Sequence, residues 1–210
     1  MRVLVSGFEP FDGGEANPSQ SVVAALVDEP PRGVEVATVV LPVRFASAWP
    51  ALRSAMQAHA PHVVLALGQA GGAAGVLIEQ VALNLDGPDR PDEDGTLPVD
   101  EPIVAGAPLA YRSGLPVRSL VAGLRDIGIP ARASRHAGGH LCNHVFFRLC
   151  HLAATEDPGV TAGFVHLPYL PEQVLDEPAP SMPLTEMVRA VGHVVEHLPA
   201  AGLDVSAGSR

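Results

Sequence analysis

Lysine is absent from this 210-residue chain, and its 13 basic residues are all arginine. They stand against 23 aspartates and glutamates, for a formal net charge of −10. A chain so short of cations cannot offset its repulsion from a polyanion, which argues against a nucleic-acid partner. No basic cluster marks a nuclear signal or a membrane patch. Long apolar runs are missing too, and none could span a bilayer. Cysteine is scarce: Cys142 and Cys150 flank what reads as one helix and make a poor disulfide framework. The first residues, Met1 to Gly7, lack signal-peptide architecture and read as a strand. With reduced thiols, this predicts a cytoplasmic protein.

What is present is enough apolar material, 47% of residues, to bury one sizeable core. A single domain over residues 1–210 is expected, with a frayed tail at about 204–210. Strand-like runs cover Val3–Ser6, Val34–Val43, His62–Leu67, Val76–Leu85, Ala131–Ser134 and Gly163–Leu167. Helical patterns cover Ser19–Val27, Phe45–Ala58, Pro116–Asp126, Cys142–Ala153 and Leu184–His197. His62–Leu67 is continuously apolar, as a strand buried on both faces must be. Strands alternating with helices predict a three-layer α/β sandwich. Its twisted sheet would be mixed, mostly parallel, and covered by helices on both faces. The acidic stretch from Asp86 to Pro108, rich in Gly and Pro, has no periodicity and reads as a long, functional loop.

Chemistry concentrates at Ala137-Gly138-Gly139-His140-Leu141-Cys142-Asn143. Two glycines permit a sharp turn, and helical periodicity begins at once with Val145, Phe146, Leu149 and Leu152. Cys142 therefore falls near a helix N-terminus, where unpaired N–H groups and the dipole favour a thiolate. On these residues alone it is either such a nucleophile or a small buried hydrophobe. Cys150 lies on the apolar stripe and reads as core. His166 ends an apolar strand before a proline-rich loop, the place where open α/β sheets set their sites, and is either a base or a satisfied core histidine. Glu79 interrupts an apolar run; if buried, it needs a partner such as an imidazolium.

Together these segments resemble the pyroglutamyl peptidase I (pyrrolidone-carboxylate peptidase) family of cysteine exopeptidases. The resemblance spans most of the chain. It rests on Ser6-Gly7-Phe8-Glu9-Pro10-Phe11 with Asn17-Pro18-Ser19, and on Gly68-Gln69-Ala70-Gly71-Gly72 with Glu79 and Val81-Ala82-Leu83-Asn84. It rests also on Asp89-Arg90-Pro91-Asp92 with Asp100-Glu101-Pro102-Ile103, on Cys142-Asn143-His144, and on Gly163-Phe164-Val165-His166-Leu167-Pro168-Tyr169. The resemblance implies a Cys142, His166 and Glu79 triad that hydrolyses the bond after an N-terminal pyroglutamyl residue through a thioacyl intermediate. It implies that Arg90 and the Cys142 N–H face the oxyanion. Phe8 and Phe11 would wall the lactam pocket, with Asn17, Gln69, His140 and Leu141 around it. No metal or cofactor is implied, and the partners are pyroglutamyl peptides and further copies of the chain, as a dimer or tetramer. The chain departs from the family pattern at Ala73 (usually Arg), Leu77 (Ser or Thr), Gln80 (Lys or Arg) and His140 (an aromatic residue). His140 could thereby add a second titratable group beside the thiol.

Rival patterns exist. His136, His140 and His144 recur every four residues and on a continuous helix would share a zinc-binding face, but Gly138 and Gly139 oppose such a helix. His193-Val194-Val195-Glu196-His197 fits H-x-x-E-H without room downstream for a further ligand domain, and reads as a solvated helix face. The glycines after Gly68 lack the lysine of a phosphate loop. Asp86 to Asp94 lacks the ligand spacing of a calcium loop. A binding protein that keeps the fold without activity is the remaining alternative.

Overall fold

The computed structural model describes residues 1–198, so the expected frayed tail lies outside the described residues. Strands β1 (Arg2–Phe8), β2 (Glu35–Leu41), β3 (Val63–Gln69), β4 (Val76–Glu79), β7 (Ala131–Ser134) and β8 (Thr161–Leu167) form a six-stranded sheet in the order β2-β1-β3-β8-β4-β7. β2, β1, β3 and β8 run parallel. β4 runs antiparallel to β8 and parallel to β7, so the sheet is mixed and mostly parallel as expected.

Helices cover both faces. α1 (Pro18–Asp28), α3 (Val117–Asp126) and α5 (Leu184–Glu196) pack with Val3, Val5, Val63, Leu65, Val165 and Leu167 on one side. α2 (Phe45–His59) and α4 (Leu141–Thr155) pack with Leu4, Val64, Ala66 and Phe164 on the other. The alternation of strand side chains decides what else faces α4. Val165 and Leu167 point to the first cluster, so Phe164 and His166 point to the second. By the same rule Ile78 points away from α4, and Leu77 and Glu79 point toward it.

α1 starts where Asn17 caps it and Pro18 takes the first helical position, since proline loses nothing there. α4 is buried on nearly all sides, because a second small sheet lies against it away from the main one. That sheet corrects the expected strand Val76–Leu85. The run divides at Gln80 into β4 and β5 (Val81–Leu83), and β5 pairs antiparallel with β6 (Ala110–Arg112). Gln80 N–H donates to the Ser134 carbonyl while its own carbonyl accepts from Ser113, which turns the chain from one sheet to the other. Hydrophobicity runs on through this break, so periodicity alone does not reveal it. β6 was not foreseen, because only three residues pair and two are exposed.

Candidate active site

The turn before α4 is built as its glycines suggest. Gly138 has φ +83°, in the left-handed region. At Gly139 a Cβ would lie 2.6 Å from the Gly87 carbonyl oxygen, which accordingly needs glycine for close approach. His140 is the extended N-cap residue and provides no side-chain cap. Leu141 and Cys142 are therefore the first two helical residues, where backbone N–H groups have no intrahelical acceptor.

Cys142 is partly exposed, at the wall of a cavity of about 310 Å3. His166, from the C-terminal end of β8, lines the same cavity. Its Nδ1–H donates to Glu79 Oε1 at 2.8 Å, and both side chains are buried, at 7% and 0% exposure. Glu79 Oε2 has no partner among the described residues. A carboxylate so enclosed is tolerable only beside a cation. The remaining nitrogen, Nε2, is left for Cys142, which lines the same cavity. Burial by itself lowers the His166 pKa. The charge of the Cys142 sulfur, its hydrogen bond, and then the bond and charge of Glu79 outweigh that effect and push it up to about 9. The Phe164 ring lies 4.8 Å from the imidazole, centroid to centroid, and holds its plane.

The other expected residues gather at the same cavity: Phe8, Phe11, Asn17, Gln69, Arg90, His140 and Leu141 all line it. Their available chemistry differs from residue to residue. Asn17 accepts from Ser19 N–H and hydroxyl and donates to the Glu9 carbonyl, so its polar groups serve the α1 cap. Arg90 lies over the Phe11 ring at 4.8 Å and is paired with Asp12. Gln69 is oriented through a chain of bonds. Leu170 N–H can only donate, so it fixes Gln173 Oε1; Gln173 Nε2 then donates to Gln69 Oε1 at 2.9 Å. The Gln69 amide NH2 is thereby left to donate elsewhere. His140 packs against Phe45, with ring centroids 5.3 Å apart. Burial first, with the Arg90 charge, lowers its pKa below the ordinary histidine value, despite the Pro91 carbonyl and nearby carboxylates.

Val43, which carried no sequence signal, and Leu77, marked only as a departure from the family pattern, complete the walls. Val43 comes from the β2–α2 connection, and Leu77 places a methyl-rich surface beside Glu79. Asn143, quoted only as part of a motif, and His144, weighed as a zinc ligand, both brace the start of the long acidic loop. Asn143 bonds Leu83 N–H and the carbonyls of Leu83 and Leu85. His144 Nδ1–H donates to Asp86 at 2.6 Å, and its Nε2 accepts from Arg148 at 2.8 Å.

These bonds also dispose of the rival patterns. Both nitrogens of His144 are committed, so it cannot join His136 and His140 around a zinc ion. Among the described residues no three histidine, cysteine or acidic side chains converge as metal ligands. The carboxylates of the acidic run diverge to separate protein partners. Asp86 goes to His144, Asp94 to Arg44, and Asp92 to the N–H groups of Phe45, Thr96 and Asp94. Burial would raise the Asp92 pKa, but those three N–H groups hold it below the usual carboxylate value. His193 and His197 stack on each other at 4.0 Å at the end of α5.

Comparison with known proteins agrees with this geometry. The sequence model of the pyroglutamyl peptidases matches residues 1–199. Pyrrolidone-carboxylate peptidase of Streptomyces coelicolor is 47% identical over 182 residues, 87% of this chain and 84% of that protein. The same enzyme of Gloeobacter violaceus is 47% identical over 199 residues, 94% of this chain and 97% of that one. Among solved structures, Bacillus amyloliquefaciens pyroglutamyl peptidase I superposes with a TM-score of 0.89 at 37% identity, covering 92% of this chain and 94% of that one. A mutant pyrrolidone carboxyl peptidase from Pyrococcus furiosus gives 0.90 at 37% identity, covering 93% and 97%. By sequence and by fold alike, this chain belongs to the pyroglutamyl peptidase family of cysteine peptidases.

Proposed function

We propose that the protein removes pyroglutamate from the N-termini of peptides, with Cys142 as nucleophile, His166 as acid and base, and Glu79 as the residue that orients the imidazole. The observation that carries this reading is the His166 ring, held between a fully buried carboxylate and a thiol at the start of a helix. With His166 pushed up to about 9, the imidazole is a cation at neutral pH. A helix start beside an imidazolium favours the thiolate, so attack proceeds from a thiolate–imidazolium pair.

The lactam ring carries no charge, so an apolar slot with a few amide bonds is sufficient to hold it. Phe8, Phe11 and Leu141 provide the apolar walls, and the Gln69 NH2, which has no acceptor among the described residues, donates to the lactam carbonyl. Attack of Cys142 Sγ on the exocyclic pyroglutamyl carbonyl forms the C–S bond and moves its π electrons to oxygen. Backbone N–H groups at the start of α4 meet that oxyanion, with Arg90 at the rim. Collapse of the intermediate breaks the C–N bond, and the imidazolium proton goes to the departing amine. Water then gives a proton to neutral His166 as it attacks the thioester. Collapse expels the sulfur as thiolate, releases free pyroglutamate and restores the ion pair. Only side chains, backbone and water take part.

A single domain over the whole chain, cytoplasmic residence and self-association belong to the same reading. No helix of the described residues is long and apolar enough to cross a membrane. Val99, Leu109 and Leu175, 69%, 87% and 78% exposed, offer apolar surface for a second copy. The deciding experiment is hydrolysis of a pyroglutamyl coumarylamide. Wild type should cleave it and iodoacetamide should abolish cleavage. Cys142→Ser should lose at least roughly a thousandfold in kcat/KM, whereas Cys150→Ser, altering a buried α4 side chain, should keep most of it. Equal losses in the two variants would defeat the assignment, and a folded, reduced protein with no hydrolysis would point to a binding protein instead.

A further inference from the structure

A second cavity, of about 720 Å3, opens off the rim of the first and shares Phe11, Gln69 and Arg90 with it. It is too polar to be an extension of the lactam slot, since its walls include Asp12, Glu15, Glu172 and Glu177. Arg90 is the one cation among its described lining residues, and that charge is taken up by Asp12. Glu15, Glu172 and Glu177 form no ion pair among the described residues. The groove is also built rather than loose. Gln173 ties the short helical turn Pro171–Val174 to Gln69 at 2.9 Å and to the Ala16 carbonyl at 3.0 Å, which holds Glu172 opposite the loop that carries Asp12 and Glu15.

We infer that this cavity receives the part of the peptide that follows pyroglutamate and selects for arginine or lysine there over glutamate or aspartate. The inference rests on the peptidase reading above. Once the lactam ring fills the apolar slot and its carbonyl meets Cys142, the leaving peptide must cross the rim formed by the three shared residues. Beyond them it meets three uncompensated carboxylates. A guanidinium or ammonium group is attracted there, and a carboxylate is repelled, in a field that salt weakens.

The test compares pyroglutamyl-Arg-Ala-amide, pyroglutamyl-Ala-Ala-amide and pyroglutamyl-Glu-Ala-amide, following release of free pyroglutamate, beside the pyroglutamyl coumarylamide, which carries no second residue. At low ionic strength kcat/KM should fall in that order, with roughly tenfold between the arginine and glutamate peptides. In about 1 M salt, where the Debye length is about 3 Å, the spread should shrink to about twofold. Glu172→Gln with Glu177→Gln, both on the surface, should bring the arginine peptide close to the alanine peptide. Cleavage of the coumarylamide with all three peptides within twofold at low salt would overturn this inference and leave the peptidase reading standing. So would an arginine preference that the double substitution leaves undiminished. Failure to cleave even the coumarylamide would remove both.

Discussion

In the His166 ring three influences compete: loss of water lowers its pKa, the Cys142 sulfur raises it, and Glu79 raises it further. The sign of the outcome has consequences for pH. An imidazole whose pKa rises from an ordinary 6.5 to about 9 on folding adds stability that is complete below 6.5 and is lost as pH climbs through 9. Activity should have its alkaline limb in the same region, because the imidazolium must protonate the departing amine. Glu79→Gln removes the carboxylate charge, one of the raising influences, and leaves only a neutral amide oxygen to accept the Nδ1–H. The alkaline limb of kcat/KM should move to lower pH, and the rate at its optimum should fall roughly a thousandfold; a limb that stays in place would show that Glu79 does not govern His166. His140 behaves in the opposite way. With its pKa lowered by burial and Arg90, it is neutral at pH 7, so His140→Phe should alter the profile only on the acid side. An altered alkaline limb in that variant would contradict this placement. Cys142, Glu79 and His166 each violate their local pattern, as a thiol at a helix start, a carboxylate in an apolar run and an imidazole closing a strand; that marked them as candidates, and the family resemblance grouped them.

The elements that carry these residues meet at close quarters. α4 can lie against β3 only because residue 68 is glycine. A Cβ there would stand 2.7 Å from Cys142 Sγ and 2.9 Å from the Phe164 ring. Gly68→Ala must therefore displace the Cys142 sulfur or the aromatic ring beside His166. A misplacement of about 1 Å at a reacting atom is worth roughly a hundredfold in rate. We expect that order of loss in kcat, with the circular dichroism spectrum retained; near-normal turnover would show that the sulfur has room to move. The acidic loop is held at this level too. Asp92 accepts the Phe45 N–H at the start of α2 and two N–H groups of its own loop, so it acts as a helix cap donated from elsewhere in the chain. Short continuous apolar runs such as His62–Leu67 made the central strands legible. The split at Gln80 and the pairing of β5 with β6 were not, since both depend on hydrogen bonds to Ser134 and Ser113, residues remote in sequence.

For the whole molecule, charge and surface decide the expected behaviour. The net charge of −10 disfavours close approach of copies at low salt, while exposed Leu109 and Val99 favour it. We expect sedimentation equilibrium at physiological salt to return a multiple of 21.8 kDa, and Leu109→Asp to shift the distribution toward that single-chain mass. A single-chain mass for the wild type at all concentrations would overturn the proposed self-association. With no lysine in the chain, amine-directed cross-linking has no side chain to act on, so a hydrodynamic measurement is the appropriate one.

Sequence alone was sufficient for the α/β class and the glycine turn before Cys142, because each follows from periodicity or from local backbone demands; the grouping of Cys142, His166 and Glu79 came from the family resemblance. It could not say that Asn17 spends its polar groups on a helix cap, that Gln69 presents its NH2, or that both nitrogens of His144 are committed. Those facts depend on which partners meet across as many as 104 residues of the chain. Hydrogen bonds and burial act over a few ångströms of space, and only the folded packing determines which groups come that close.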